Sequence, residues 1–172
     1  LRRLQNNLGR QIFTSVIQPN ILEKALVQAD LAIGALRAED GRSPTVVSEE
    51  MVSKMKGNSV IVDVSIDQGG VFETSEVTNH TKPIFRKHDV IHYCVPNITS
   101  RVSRTASYAL SNIFTPMLLS ICNSGGVQNY IWERNPIRHG IYIYKGIMVN
   151  KAISNRFSLP HKDLDGLIGA HV

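Results

Sequence analysis

The chain has 172 residues, 42% hydrophobic and 19% charged, with a net charge of +5. That is an ordinary globular composition, long enough for one good core or for one domain plus an excursion. No apolar run reaches the length of a membrane span and no signal-peptide pattern opens the chain; the basic residues are dispersed apart from Arg2-Arg3 and Arg86-Lys87, which argues against a nucleic-acid footprint.

Residues 1–8 read as the end of a helix stopped at Gly9, and the start at Leu1-Arg2-Arg3-Leu4, without a methionine, reads as the middle of a longer chain. QIFTSV, residues 11–16, predicts a short strand. Asn20 followed by Glu23 has capping-box spacing and predicts a helix to about Gln28. Leu31-Ala32-Ile33 predicts a strand ending at Gly34, a polar loop follows over 37–47, and Ser48 caps the next helix. Residues 59–64 form an apolar strand broken only by Asp63, as in a sheet covered on both faces. PIFRKHDVIHYCV predicts two β segments around His88-Asp89, the second running from about Val90 to Cys94. From Ser103 the pattern changes: Leu110, Ile113, Phe114, Met117, Leu118 and Ile121 make a helical apolar stripe of the kind that packs into a core. Thr115-Pro116 predicts a kink or a fresh helix start, and Gly125-Gly126 the end. A short helix over 127–134, an isolated strand at GIYIYKG and short helices over 149–168, split near Pro160, complete the chain.

Strands alternating with single helices signal parallel βαβ units. The fold class is therefore α/β, a partial Rossmann-like doubly wound parallel sheet. In such a sheet ligands bind outside the carboxyl ends of the strands. Three strand ends qualify: Gly34-Ala35-Leu36, the stretch from Val64 to Gly70, and Val95-Pro96-Asn97-Ile98. The middle one, in VIVDVSIDQGG, places the carboxylate of Asp67 beside two glycines. Turn chemistry explains each alone; together they point to a ligand crevice. No G-x-G-x-x-G phosphate turn occurs in the sequence, which fits either a dinucleotide fold continuing upstream or a fold that binds no nucleotide. Cys94 and Cys122, without a Cys-x-x-Cys pair, read as buried free thiols of a reducing cytosol, and the six histidines form no metal site.

VIVDVSIDQGGVFETS, then IHYCVPNI and SRTASYALSNIFTPMLL, with ADLAIGA and EEMVSKMK upstream, resemble the NAD-dependent alanine dehydrogenase family, which shares its fold with the nicotinamide nucleotide transhydrogenase α subunit. The resemblance covers nearly the whole chain, more weakly after residue 125. It implies reversible oxidative deamination of L-alanine to pyruvate and ammonia with NAD as cofactor, in a cytoplasmic homohexamer without nucleic-acid or membrane partners. It further implies an incomplete NAD-binding domain over 1–103, a bridging helix over 104–124, and a C-terminal segment of the substrate domain over 125–172. Asp67 matches the catalytic aspartate, with a proton-handling role near the nicotinamide. Val64, Ser65 and Ile66 match residues beside the nicotinamide, Leu36 and Arg37 the adenosine and ribose region, and Val95, Pro96, Asn97 and Ile98 the last cofactor loop, with Asn97 also facing the substrate. The phosphate turn, the ribose acid, the histidine acid/base and the arginine and lysine that hold pyruvate are expected upstream of Leu1, so this chain by itself is expected to be inactive and marginally stable. With strand order 3-2-1-4-5-6, losing strands one and two would leave a gap beside strand three. Two other readings stand beside this one: a transhydrogenase α subunit, and a non-catalytic nucleotide-fold interaction module.

Overall fold

The computed structural model describes residues 2–37 and 41–169, so part of the loop expected over 37–47 and the last three residues lie outside the described residues. The chain divides into two compact units, the first ending at Pro96 and the second starting at Asn97.

The first unit opens with α1 (Arg2–Leu8), ended by Gly9 at φ +60°, as its sequence predicts. The strand expected at 11–16 is absent: these residues pair with no other strand, and Phe13 and Val16 are exposed. A strand is stabilised by its cross-strand partners, and QIFTSV finds none among the described residues. Helix α2 (Pro19–Gln28) ends where expected but starts two residues early. Its cap is Gln18, without a side-chain bond, and Pro19 takes the first turn, where its fixed φ and missing N–H are both tolerated. The Asn20–Glu23 capping box therefore does not form. Ser48, by contrast, does cap α3 (Glu49–Ser53): its hydroxyl accepts the Met51 N–H.

The sheet follows the order β1 (Leu31–Gly34), β2 (Val60–Asp63), β4 (Val90–Tyr93), β3 (Ile84–Lys87). β1, β2 and β4 are parallel, and β3 joins β4 as an antiparallel hairpin. Its two turn residues, His88 and Asp89, both have positive φ, the geometry that matches the twist of the flanking strands. Strand alternation puts Ala32, Ile61 and His92 in one row and Gly34 and Asp63 in the next. On this face Ala32, Ile61 and Val90 pack with Leu26 of α2, Val52 of α3, Met55, Val47, Val71 and Phe72. The opposite face does not have the cover expected of it: Leu31 and Ile33 are exposed, and Val60, Val62, Ile91 and Tyr93 are half-buried. The carbonyls of Asp30 and Gly34 accept from Val60 and Val64, so the backbone groups of Leu31 and Ile33, a residue out of phase, face the other edge. Among the described residues no strand pairs with that edge.

In the second unit a 3₁₀ segment (Ile98–Val102) leads into α4 (Ser103–Asn123), a single helix that runs through Pro116 without a restart. The stripe expected to be core is not: Leu110, Ile113, Phe114 and Leu118 are exposed, Met117 and Ile121 half-buried, and no residue of α4 is buried. Cys122, on the same helix, is exposed, whereas Cys94 is buried as expected. Helices α5 (Val127–Glu133) and α6 (Asn135–Arg138) follow. GIYIYKG is not an isolated strand but the start of a hairpin, β5 (Ile143–Tyr144) with β6 (Ile147–Met148), because Lys145 and Gly146 adopt positive φ and turn the chain back. Helices α7 (Lys151–Phe157) and α8 (Leu164–Gly169) flank Pro160. This unit's core is small: Ile131, Tyr144, Leu164 and Ile168. No helix among the described residues is long and apolar enough to cross a membrane.

Candidate functional site

The carboxyl ends of the parallel strands carry the chemistry-bearing loops. Beyond β2 the backbone makes a 3₁₀ turn over Ile66–Gln68, then Gly69 and Gly70 at φ +107° and +84°. Two side-chain-free residues are needed there because the chain reverses in a region that L side chains rarely adopt. Ile66 points inward and is buried, so Asp67 and Gln68 are presented outward and exposed.

The loop beyond β1 is tied to this one. Val64 N–H donates to the Gly34 carbonyl at 2.8 Å, and the hydroxyls of Ser65 and Ser43 both donate to the Leu36 carbonyl, at 2.8 and 3.0 Å. Ser43 N–H in turn donates to the Gln68 carbonyl at 2.8 Å. Between the two loops lies a cleft of about 260 Å³ lined by Ala35, Leu36, Arg37, Val64, Ser65, Asp67 and Gln68. A larger groove of about 390 Å³ runs from α2 across β1 to Val71 and Phe72. Its lining residues are all apolar and include no titratable side chain, whereas the smaller cleft includes Arg37 and Asp67.

Of the sequence-predicted site residues, Leu36, Arg37, Val64, Ser65 and Asp67 thus meet at one cleft. Val64, Arg37 and Asp67 are exposed and Leu36 is half-buried, whereas Ser65 is buried with its hydroxyl committed to Leu36. Ile66 and Val95 are buried, and Pro96 is half-buried; none of these three lines the cleft. Asn97, exposed and at φ +52°, and half-buried Ile98 open the second unit. Among the described residues no group of three or more His, Cys, Asp or Glu side chains could hold a metal ion.

One residue without a sequence-assigned role stands out. Asp63 is 2% exposed, and its carboxylate accepts from Ser65 N–H at 3.0 Å, Val71 N–H at 2.8 Å, Phe72 N–H at 3.4 Å and Ser75 Oγ at 2.7 Å. The signal was present in VIVDVSIDQGG: a lone acid in a buried strand must find donors, and the next loop is where they are. Nearby, His92 is fully buried and stacked on Phe85 at 4.7 Å. Its Nδ1 lies 3.1 Å from the Val90 carbonyl, which can only accept, so Nδ1 carries the proton and Nε2 accepts the Thr74 hydroxyl at 2.8 Å. Burial lowers the pKa of this imidazole, with a smaller lowering from Lys87.

The family model for the alanine dehydrogenase/PNT C-terminal domain matches residues 1–151. Alanine dehydrogenase 2 of Staphylococcus aureus strain USA300 is 36% identical over 166 residues, covering 96% of this chain and 44% of that protein. The protein of the same name from strain N315 matches to the same extent. A solved L-alanine dehydrogenase superposes with a TM-score of 0.77 at 32% identity, over 91% of this chain and 43% of that one. A transhydrogenase from Sinorhizobium meliloti shares the fold, with a TM-score of 0.59 at 20% identity over 70% and 34% of the two chains. The chain spans less than half the length of the curated relatives it matches. On the family match and on the 36% identity across nearly all of its length, this chain belongs to the alanine dehydrogenase/PNT C-terminal domain family.

Proposed function

We propose that this chain forms the cofactor-facing half of an NAD-dependent alanine dehydrogenase, which deaminates L-alanine to pyruvate and ammonia. The observation that carries the reading is the exposed Asp67 carboxylate at a strand-end cleft, in a chain 36% identical to an alanine dehydrogenase. The cleft suits the ring end of a nicotinamide cofactor: the small side chain of Ala35, apolar walls at Leu36 and Val64, and one acid. NAD, when bound, supplies the hydride acceptor.

The chain's own residues do the rest. Asp67, on a turn fixed at both ends, takes up and returns protons at the substrate nitrogen and at the carbinolamine oxygen. Val64 and Leu36 keep water from the ring faces, and Arg37 offers a cation toward the ribose. Ser65 holds the two walls together through the Leu36 carbonyl. The roles of Ile66, Val95, Pro96, Asn97 and Ile98 are assigned by resemblance alone.

The test uses the protein isolated from its native source, with its intact mass measured, and follows NADH formation on addition of L-alanine and NAD. Alanine-dependent NADH formation is expected, and Asp67→Asn should slow it by about 10²–10⁴-fold. No alanine-dependent NADH formation would overturn the reading; hydride exchange between cofactors without alanine would instead support the transhydrogenase alternative.

A further inference from the structure

We propose that Asp63 is the positioning residue of the strand-end site, setting through its carboxylate the turn that presents Asp67 and the separation of the two cleft walls; the role in cofactor binding rests on the function proposed above. The chain of contacts is short. Asp63 sits at the last position of β2, on the covered face, where strand alternation turns its side chain away from solvent. A carboxylate there is unfavourable unless donors surround it, and all four of its donors come from the following loop. One, Ser65 N–H, begins the loop; the others, Val71 N–H, Phe72 N–H and Ser75 Oγ, end it. The carboxylate thus closes a ring of chain whose outer arc is Ile66 to Gly70, with Asp67 on it.

Two further observations tie this ring to the cleft. A Cβ on Gly70 would lie 2.9 Å from Asp63 Oδ2, so the backbone passes as close to the carboxylate as a glycine allows. Ser65, whose N–H Asp63 holds, sends its hydroxyl to the Leu36 carbonyl on the opposite wall. A core polar group with a purely structural role would stabilise the sheet as a whole. Asp63 instead bonds only to the loop, so its loss should loosen residues 65–75 and leave β1, β2 and β4 intact.

The amide of Asn cannot replace it. One amide terminus is a donor, and both Asp63 oxygens face donors, so Asp63→Asn sets a donor against a donor in either orientation. The experiment uses the protein at the length isolated from its native source and compares the wild type with Asp63→Asn and with Ser75→Ala, which removes one of the four donors. It reads hydrogen exchange residue by residue and NADH affinity by fluorescence titration. In Asp63→Asn, exchange at Ser65, Val71 and Phe72 should quicken by about tenfold, the equilibrium factor of one lost hydrogen bond, with Val62 and Ile91 unchanged. NADH affinity should fall by about tenfold as well. Ser75→Ala should move the same amides and the same affinity by about threefold. Loss of protection spread evenly over sheet and loop, or freed loop amides with unchanged NADH affinity, would overturn the proposal. If Asp63→Asn fails to fold, Ser75→Ala decides by the same criteria. If that wild-type protein binds no NADH, the functional reading is what fails; exchange confined to residues 65–75 then still supports the positioning role, and uniform exchange refutes it.

Discussion

Gly69 and Gly70 are neighbours in the same turn, both at positive φ, yet the structure predicts different consequences for an added methyl group. At either position alanine must adopt a conformation that is unfavourable for an L residue by about 1–2 kcal/mol. At Gly69 the new Cβ would lie 2.9 Å from Arg42 Nε, but Arg42 is exposed and can swing aside. At Gly70 it would lie 2.9 Å from Asp63 Oδ2 and 3.2 Å from Ser75 Cβ, and the carboxylate is pinned by four donors. Moving it frees at least one buried donor, a further loss of about 1–3 kcal/mol. Gly70→Ala is therefore expected to destabilise the first unit by about 2–5 kcal/mol and Gly69→Ala by only about 1–2 kcal/mol. The assay is urea unfolding followed by far-UV circular dichroism, since Trp132, the sole tryptophan, belongs to the second unit. Equal losses at the two glycines would refute the reasoning, because the whole difference is assigned to Asp63.

Other elements give independent tests. Ser48→Ala should lose about 0.5–2 kcal/mol as a helix cap, while Asn20→Ala, whose side chain does not cap α2, should stay within about 0.5 kcal/mol of wild type in the same unfolding assay. His92 has a lowered pKa in the fold, so below its ordinary value of 6.5 the unfolded chain binds the extra proton. Stability is then complete above pH 6.5 and is lost as pH falls from there through the folded-state pKa. Urea midpoints at pH 7.5 and about 5.5 should fall in that order for the wild type, with a smaller change in His92→Gln. Burial pushes the Cys94 thiol up and removes it from solvent, while Cys122 is exposed. A thiol-reactive dye should therefore label one cysteine promptly in the native chain and the second only on unfolding.

The legible part of the fold was whatever rests on local chemistry. The apolar runs at 31–34 and 60–63, the Ser48 cap and the His88-Asp89 turn are all dictated within a few residues, and each is found as read. What failed to follow was whatever depends on a partner. Among the described residues QIFTSV has the composition of a strand but no ladder, and the α4 stripe has the periodicity of a core helix but no buried residue. Periodicity reports which face would be buried, not whether a neighbour exists. The cleft divided along similar lines. A strand end and two glycines announce Asp67, whereas the role of Asp63 depends on partners up to 12 residues further on, outside any local pattern. Ser65 had a ligand-facing reading and turns out to have its hydroxyl engaged by Leu36, a contact spanning 29 residues that no local pattern encodes.

The edge of β1 that pairs with no strand among the described residues has a consequence for how the chain behaves in company. Leu31 and Ile33 offer backbone donors and acceptors along an edge with no charged side chain, proline or bulge to discourage pairing. These groups must be met by solvent or by another strand. A strand supplied from outside would stabilise the folded form by mass action, so the apparent stability of the first unit should rise with the concentration of whatever supplies it. Stability measured at one dilution is then a property of the mixture as much as of the sequence.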